Sequence, residues 1–249
     1  MIRCRSVARG ALTGILTLLS ACDGSPGAGE GGGDARRESA APFPEADRPV
    51  APVVSVRYAG EAVRDRAGEA QAVMDAAGVT RGMTVADIGA GEGYYTVRLA
   101  RRVGPDGHVT AQDIMTEVVE ALARRVRRLG LGNVDVRRGT PDDPELPRGR
   151  FDRILMVHMY HEIEEPYAFL WNLRPALKPG GEVVVADALR PIEQHGTPPR
   201  LLACEFAGVG YRLIGLERKP ATGGYVARFR AEGPRPAPGS ITACPAGGG

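Results

Sequence analysis

Lysine, cysteine and long apolar runs are what this chain of 249 residues has least of, and each scarcity excludes something. Lysine stands only at Lys178 and Lys219, so nearly all the positive charge is arginine. The formal net charge is +2, too even a balance to mark a polyanion-binding surface, and no nucleic-acid partner is expected. The four cysteines, Cys4, Cys22, Cys204 and Cys244, contain no C-x-x-C pair, which argues against a zinc or redox site of that spacing. In an oxidising compartment Cys204 and Cys244 could form a disulfide, a matter of geometry that spacing leaves open. The apolar stretch Ala11–Leu19 is too short to span a bilayer comfortably.

What is present suits one α/β domain. Apolar residues make up 43% and charged residues 25%, ordinary for a globular protein. A chain of this length can bury about three quarters of its unfolded surface in a single core. Arg3, Arg5 and Arg9 before Ala11–Leu19 give residues 1–22 the form of a secretory signal. Residues 23–52 are rich in Gly, Pro, Ala and charge, and are expected to be a flexible linker. The domain is expected over 53–232, with a disordered Pro/Gly-rich tail over 233–249.

The centre of the domain is Met83–Ala100. Met83–Ile88 reads as a buried strand, and Asp87, Gly89, Gly91 and Gly93 then spell D-x-G-x-G-x-G. Tyr95, Val97 and Leu99 open a helical pattern directly after it. Glycines let the backbone turn tightly against a ligand, and a helix N-terminus offers unpaired N–H groups. A nucleotide-like cofactor over the end of this strand is the expectation. The dinucleotide fingerprint would place its third glycine at 94, where Tyr94 stands, so a nicotinamide dehydrogenase is disfavoured.

VADIGAGEGYYTVRLA resembles motif I of the class I S-adenosylmethionine (SAM) dependent methyltransferases. Gly107–Ile114 resembles that family's second strand, Phe151–Ile163 its fourth strand and following loop, and Leu173–Asp187 its Pro-Gly-Gly turn and fifth strand. The resemblance covers roughly residues 57–232 and implies a doubly wound, Rossmann-like sheet of seven mostly parallel strands. An antiparallel edge hairpin, Gly210–Glu217 with Gly224–Arg230, and helices on both faces complete it. Further helices are read over Gly60–Ala77, Met115–Leu129 and Glu164–Leu177, and a third strand over Asn133–Gly139.

The resemblance implies SAM as cofactor, held by Asp87, Gly89, Ala90, Gly91, Gly93, Tyr94, Asp113 and Ile114, with Thr140, Asp142 and His158. Asp113 lies 20 residues past Gly93, the interval of an acid that binds ribose hydroxyls. Thr140 stands where the family often has an adenine-contacting acid, and Asp142 follows two places later. After the fourth strand, His161 and Tyr160 are the candidates for a general base or an acceptor-orienting group. His158, His161 and Glu162 lack the H-E-x-x-H spacing and no further ligand is evident, so no metal is expected. The Asn-Pro-Pro-Tyr type signature is absent, which argues against methylation of DNA amino groups.

The reading is thus methyl transfer from SAM to an unidentified small-molecule acceptor, or alternatively a membrane-tethered SAM-binding protein without catalysis. Leu19-Ser20-Ala21-Cys22 resembles a bacterial lipobox, which implies lipidation at Cys22 and membrane attachment through the N-terminus. An exported protein facing the periplasm or cell exterior follows, or a cytoplasmic one if that segment is not a signal. Nothing in the sequence bears on oligomeric state.

Overall fold

Short β-branched and aliphatic runs alternate with longer amphipathic stretches, and that alternation dictates a parallel sheet covered by helices. In the computed structural model, which describes residues 43–53 and 60–245, Thr84–Ile88 forms β1, His108–Asp113 β2, Val134–Arg138 β3 and Phe151–Val157 β4. Leu177–Ala188 forms β5, Tyr211–Lys219 β6 and Gly224–Ala231 β7. The order is β3-β2-β1-β4-β5-β7-β6. β3 through β5 are parallel, while β7 runs antiparallel between β5 and β6. The expected doubly wound sheet with an antiparallel edge hairpin is the observed one.

Two cores form because successive residues of a strand point to opposite faces. Ala86 and Ile88 of β1, with Ile154 and Met156 of β4, pack on α5 (Pro166–Leu173) and α6 (Pro199–Gly208). Val85, Leu155 and Val157 face the other way, onto α2 (Glu69–Ala76) and α3 (Tyr94–Val103). The remaining helices are α1 (Glu61–Arg66) and α4 (Thr116–Arg128).

Three expectations change. The helix read over Gly60–Ala77 is two helices, because Gly68 adopts a left-handed conformation at φ 66° between α1 and α2. The linker read over 23–52 is built into the domain from Phe43 on: Arg48 is buried against Glu205, and the Ala51 N–H donates to the His161 carbonyl at 2.9 Å. The tail read as disordered from 233 is ordered through 245. Trp171 Nε1 donates to the Pro236 carbonyl at 2.8 Å, Ile241 joins the core, and Cys244 pairs with Cys204. Short-range composition reads as loop in both segments, but side chains distant in sequence bury them. The signal and lipobox readings, Cys22 included, lie outside the described residues. Among the described residues no helix is long and apolar enough to cross a membrane.

Candidate functional site: a cavity at the carboxyl ends of the parallel strands

β1 ends where the chain reverses its winding, between β2 on one side and β4 on the other, the place where open α/β sheets leave a crevice. A cavity of about 230 Å³ opens there. Asp87, Gly89, Ala90, Gly91, Tyr94, Asp113, Ile114, Thr140 and His158, nine of the expected cofactor residues, line it.

The glycine turn is built for close approach. Gly89 has φ 64°, and a Cβ there would crowd Met159 Cγ at 3.0 Å. Gly93 caps α3 at φ 88°, where a Cβ would collide with Leu122 Cδ1. Gly93 itself does not line the cavity; it sets the turn that does. Asp113 closes the loop from the side: its Oδ2 accepts from the Gly91 N–H at 3.0 Å and its Oδ1 from the Met115 N–H at 3.1 Å. A carboxylate carries about four acceptor sites, so Asp113 keeps capacity for a ligand's hydroxyls.

Asp87 is 2% exposed, and its Oδ2 accepts from the Thr96 hydroxyl at 2.6 Å. Burial pushes its pKa up to about 6, against the Thr96 hydrogen bond and the Arg64 charge, while the nearby Asp113 adds to the rise. A buried carboxyl with a raised pKa beside a cavity is a candidate receptor for a cation.

α1 and α2 brace the tyrosine pair at the start of α3. Arg64 and Arg98 stack on Tyr94 at 3.9 and 3.8 Å from its ring centre, and the Tyr94 hydroxyl donates to Asp65 at 3.0 Å. The Tyr95 hydroxyl donates to Glu69 at 2.9 Å, and His158 Nε2 lies 3.5 Å from the same oxygen. Burial raises the Glu69 pKa, but hydrogen bonds from His158 and Arg64 outweigh it and hold the carboxyl at about 2.

Three further expected residues sit off the cavity. Asp142 is exposed and off the cavity wall, because its Oδ1 is turned back to accept from the Thr140 hydroxyl at 2.7 Å; Pro141 lines the wall instead. Tyr160 is fully buried under α6, its hydroxyl donating to Glu205 at 2.7 Å, so it cannot orient an acceptor in the cavity. His161 is also fully buried and off the wall, its Nδ1 3.0 Å from Asp187. Both point away because Tyr160–Glu162 forms a 3₁₀ turn; Met159, Glu162 and Glu164 face the cavity from that loop. No spacing in the sequence marks them, since Glu162, Ile163 and Glu164 are consecutive and all line the wall. Gln112, one residue before Asp113, also lines the cavity unanticipated, and its buried Nε2 has no hydrogen-bond partner among the described residues.

Comparison with known proteins agrees with this geometry. Residues 85–181 match the family model described as a methyltransferase domain. The ubiquinone/menaquinone biosynthesis C-methyltransferase UbiE of Escherichia fergusonii is 31% identical over 120 residues, 48% of this chain and 48% of that protein. The same enzyme of Salmonella arizonae matches to the same extent. The chain spans about half the length of the curated relatives it matches. A SAM-dependent methyltransferase from Aquifex aeolicus superposes with a TM-score of 0.59 at 25% identity, over 70% of this chain and 97% of that one. The [4+2]-cyclase SpnF shares the fold at 18% identity, with a TM-score of 0.54 over 67% of this chain and 80% of its own.

Proposed function

We propose that this protein, whose residues 85–181 match a methyltransferase domain, transfers a methyl group from SAM to a small-molecule acceptor. The observation that carries the reading is the glycine turn Gly89–Gly93 held by Asp113 at the mouth of the cavity. The residues present fit the cofactor. Two carboxylates, Asp87 and Asp113, suit a cationic ligand bearing hydroxyls, and the orphaned Gln112 amide is a buried donor awaiting an acceptor.

When bound, SAM supplies the methyl electrophile, so the chain's own work is alignment and exclusion of water. Asp113 would accept from ribose hydroxyls while keeping the Gly91 loop in place. Asp87 would face the positively charged methionyl end. The second wall, with Met159, Glu162, Ile163 and Phe169, would receive the acceptor. A second reading, SAM binding without methyl transfer, is favoured by the withdrawal of Tyr160 and His161 from the cavity. Acceptor-dependent release of S-adenosylhomocysteine, measured across an acceptor screen, separates the two.

Asp113→Ala is expected to weaken SAM binding by about 1.5–3 kcal/mol, the worth of a charge-assisted hydrogen bond, or roughly ten- to a hundredfold. Titration calorimetry on the folded variant reads this directly; unchanged affinity would remove Asp113 from the cofactor site.

Asp87 gives the affinity a pH dependence. Its raised pKa means that the carboxyl is protonated below about pH 6 and no longer attracts the cofactor's positive charge. Binding should therefore weaken as pH falls through 6, and the step should vanish in Asp87→Asn. For the fold the sign is opposite: this group's contribution to stability is complete below the unfolded carboxyl pKa and is lost as pH rises through about 6.

The protein's location is part of the same reading: export by residues 1–22 and tethering at Cys22. Support comes from the Cys204–Cys244 disulfide, since such bonds persist in oxidising compartments.

A further inference from the structure

Behind the loop after β4 lies a polar cluster that the cavity chemistry does not use. Asp187, fully buried at the carboxyl end of β5, is its anchor. Its Oδ1 accepts from the Ala188 N–H at 2.8 Å, and its Oδ2 from the Thr197 hydroxyl at 2.6 Å. The same Oδ2 lies 3.0 Å from His161 Nδ1. A carboxylate only accepts, so Nδ1 carries the proton and the lone pair of the neutral ring is left on Nε2. That Nε2 is buried, on a residue with no exposed surface, and has no hydrogen-bond partner among the described residues.

The Pro-rich loop after β5 brings a second imidazole to meet it. Thr197, tied to Asp187, pins the loop, and the Tyr225 hydroxyl donates to the Thr197 carbonyl at 2.8 Å. His195 sits in that loop at φ 58°, a left-handed conformation seldom adopted by a residue with a side chain. Its ring meets that of His161 at 5.3 Å between centres, nearly perpendicular. Its Nδ1 is also buried without a partner among the described residues. One ligand atom each from His161, Glu162 and His195 lie within 4.8 Å of one another.

We propose that His161 Nε2, His195 Nδ1 and the Glu162 carboxylate bind one divalent transition-metal ion of the zinc class. Two imidazoles and one carboxylate are a donor set for such ions, and Asp187 on His161 Nδ1 is the outer carboxylate that orients a ligating imidazole. Metal–ligand bonds of about 2.0–2.2 Å would draw these atoms from within 4.8 Å of one another to roughly 3.4 Å apart. Two buried ring nitrogens without partners among the described residues, on histidines whose ligand atoms cluster with that of Glu162, are accounted for by an ion that both ligate. Glu162 also lines the cavity, so the ion would lie behind that wall, on the side of the buried His161. Three protein ligands leave a position for water or for an acceptor oxygen. The proposal does not depend on methyl transfer, and metal binding tests it alone.

The test is Zn²⁺ titration of the full chain after treatment with a chelator, read by calorimetry and by metal analysis after dialysis. One ion per chain and a Zn²⁺-dependent rise in Tm are expected. His195→Ala should weaken binding by more than the roughly 10–100-fold that losing an outer-sphere partner costs, and should abolish the rise in Tm. Asp187→Asn, which keeps the shape, should weaken it within that range. Co²⁺ in place of Zn²⁺ should give a visible absorption band in the wild type and none in His195→Ala. Circular dichroism shows whether each variant is folded, and His195→Gln serves if the alanine variant is not. No stoichiometric Zn²⁺ uptake by the folded wild type would overturn the proposal and leave water between the rings. So would uptake unaltered in the His195 variants, which would point to the N-terminal cysteines.

Discussion

Glu205→Ala is expected to lower the unfolding free energy by about 3–5 kcal/mol, the cost of stranding one member of a buried ion pair. Arg48 Nε donates to Glu205 Oε1 at 2.7 Å, and both side chains are 1% exposed. Tyr160 donates to the other carboxylate oxygen at 2.7 Å, and Arg48 also donates to the Ile163 carbonyl at 3.0 Å. Removing the carboxylate leaves a buried guanidinium and a buried hydroxyl together unpaired. Replacing both charges, as in Arg48→Met with Glu205→Leu, should cost far less, because no charge remains buried. Urea denaturation of the single and double variants makes the comparison. A loss below about 1 kcal/mol for Glu205→Ala would fit only a solvated pair, not this one. The site is involved as well: Arg48 and Ala51 hold the backbone of residues 161–163, from which Glu162 reaches the cavity.

Cys204→Ser with Cys244→Ser is the second large effect, about 2–4 kcal/mol of lost stability. The disulfide joins residues 40 apart in sequence, and constraint of a loop that long in the unfolded chain has that order of worth. It also clips the last described residues to α6. The Cys244 N–H donates to the Tyr167 hydroxyl at 2.6 Å, and Ile241 enters the core nearby. Denaturation with and without reductant should show the same loss in the wild type and none in the double serine variant. If thiol labelling of protein isolated without reductant finds Cys204 and Cys244 free, the oxidising location fails with it.

Sequence alone determined the elements whose cause is local. A β-branched run, three glycines spaced by two and an amphipathic stretch mark Thr84–Val103 as a strand, turn and helix from its local pattern. The position of Asp113 follows from one strand–helix–strand unit of ordinary length, which puts its carboxylate beside Gly91. The terminal hairpin is legible for the same reason, neighbours in sequence being neighbours in space, whereas Pro179-Gly180-Gly181, read as a turn before the fifth strand, lies within β5 where its register with β4 shifts.

Only the tertiary structure decided which polar side chains meet. Tyr160 and His161 look like site residues in sequence, yet a 3₁₀ turn directs them into the core and presents Glu162 to the cavity. Arg48 and Glu205 meet across 157 residues, and Asp187 gathers His161 and Thr197 from two separate loops. His195 joins His161 because β4 and β5 are adjacent and parallel, so the loops leaving their carboxyl ends converge. Periodicity reports which face of an element is apolar. It carries no record of which distant charge or imidazole will be brought against it, because that depends on strand order and register, set by the packing of the whole chain.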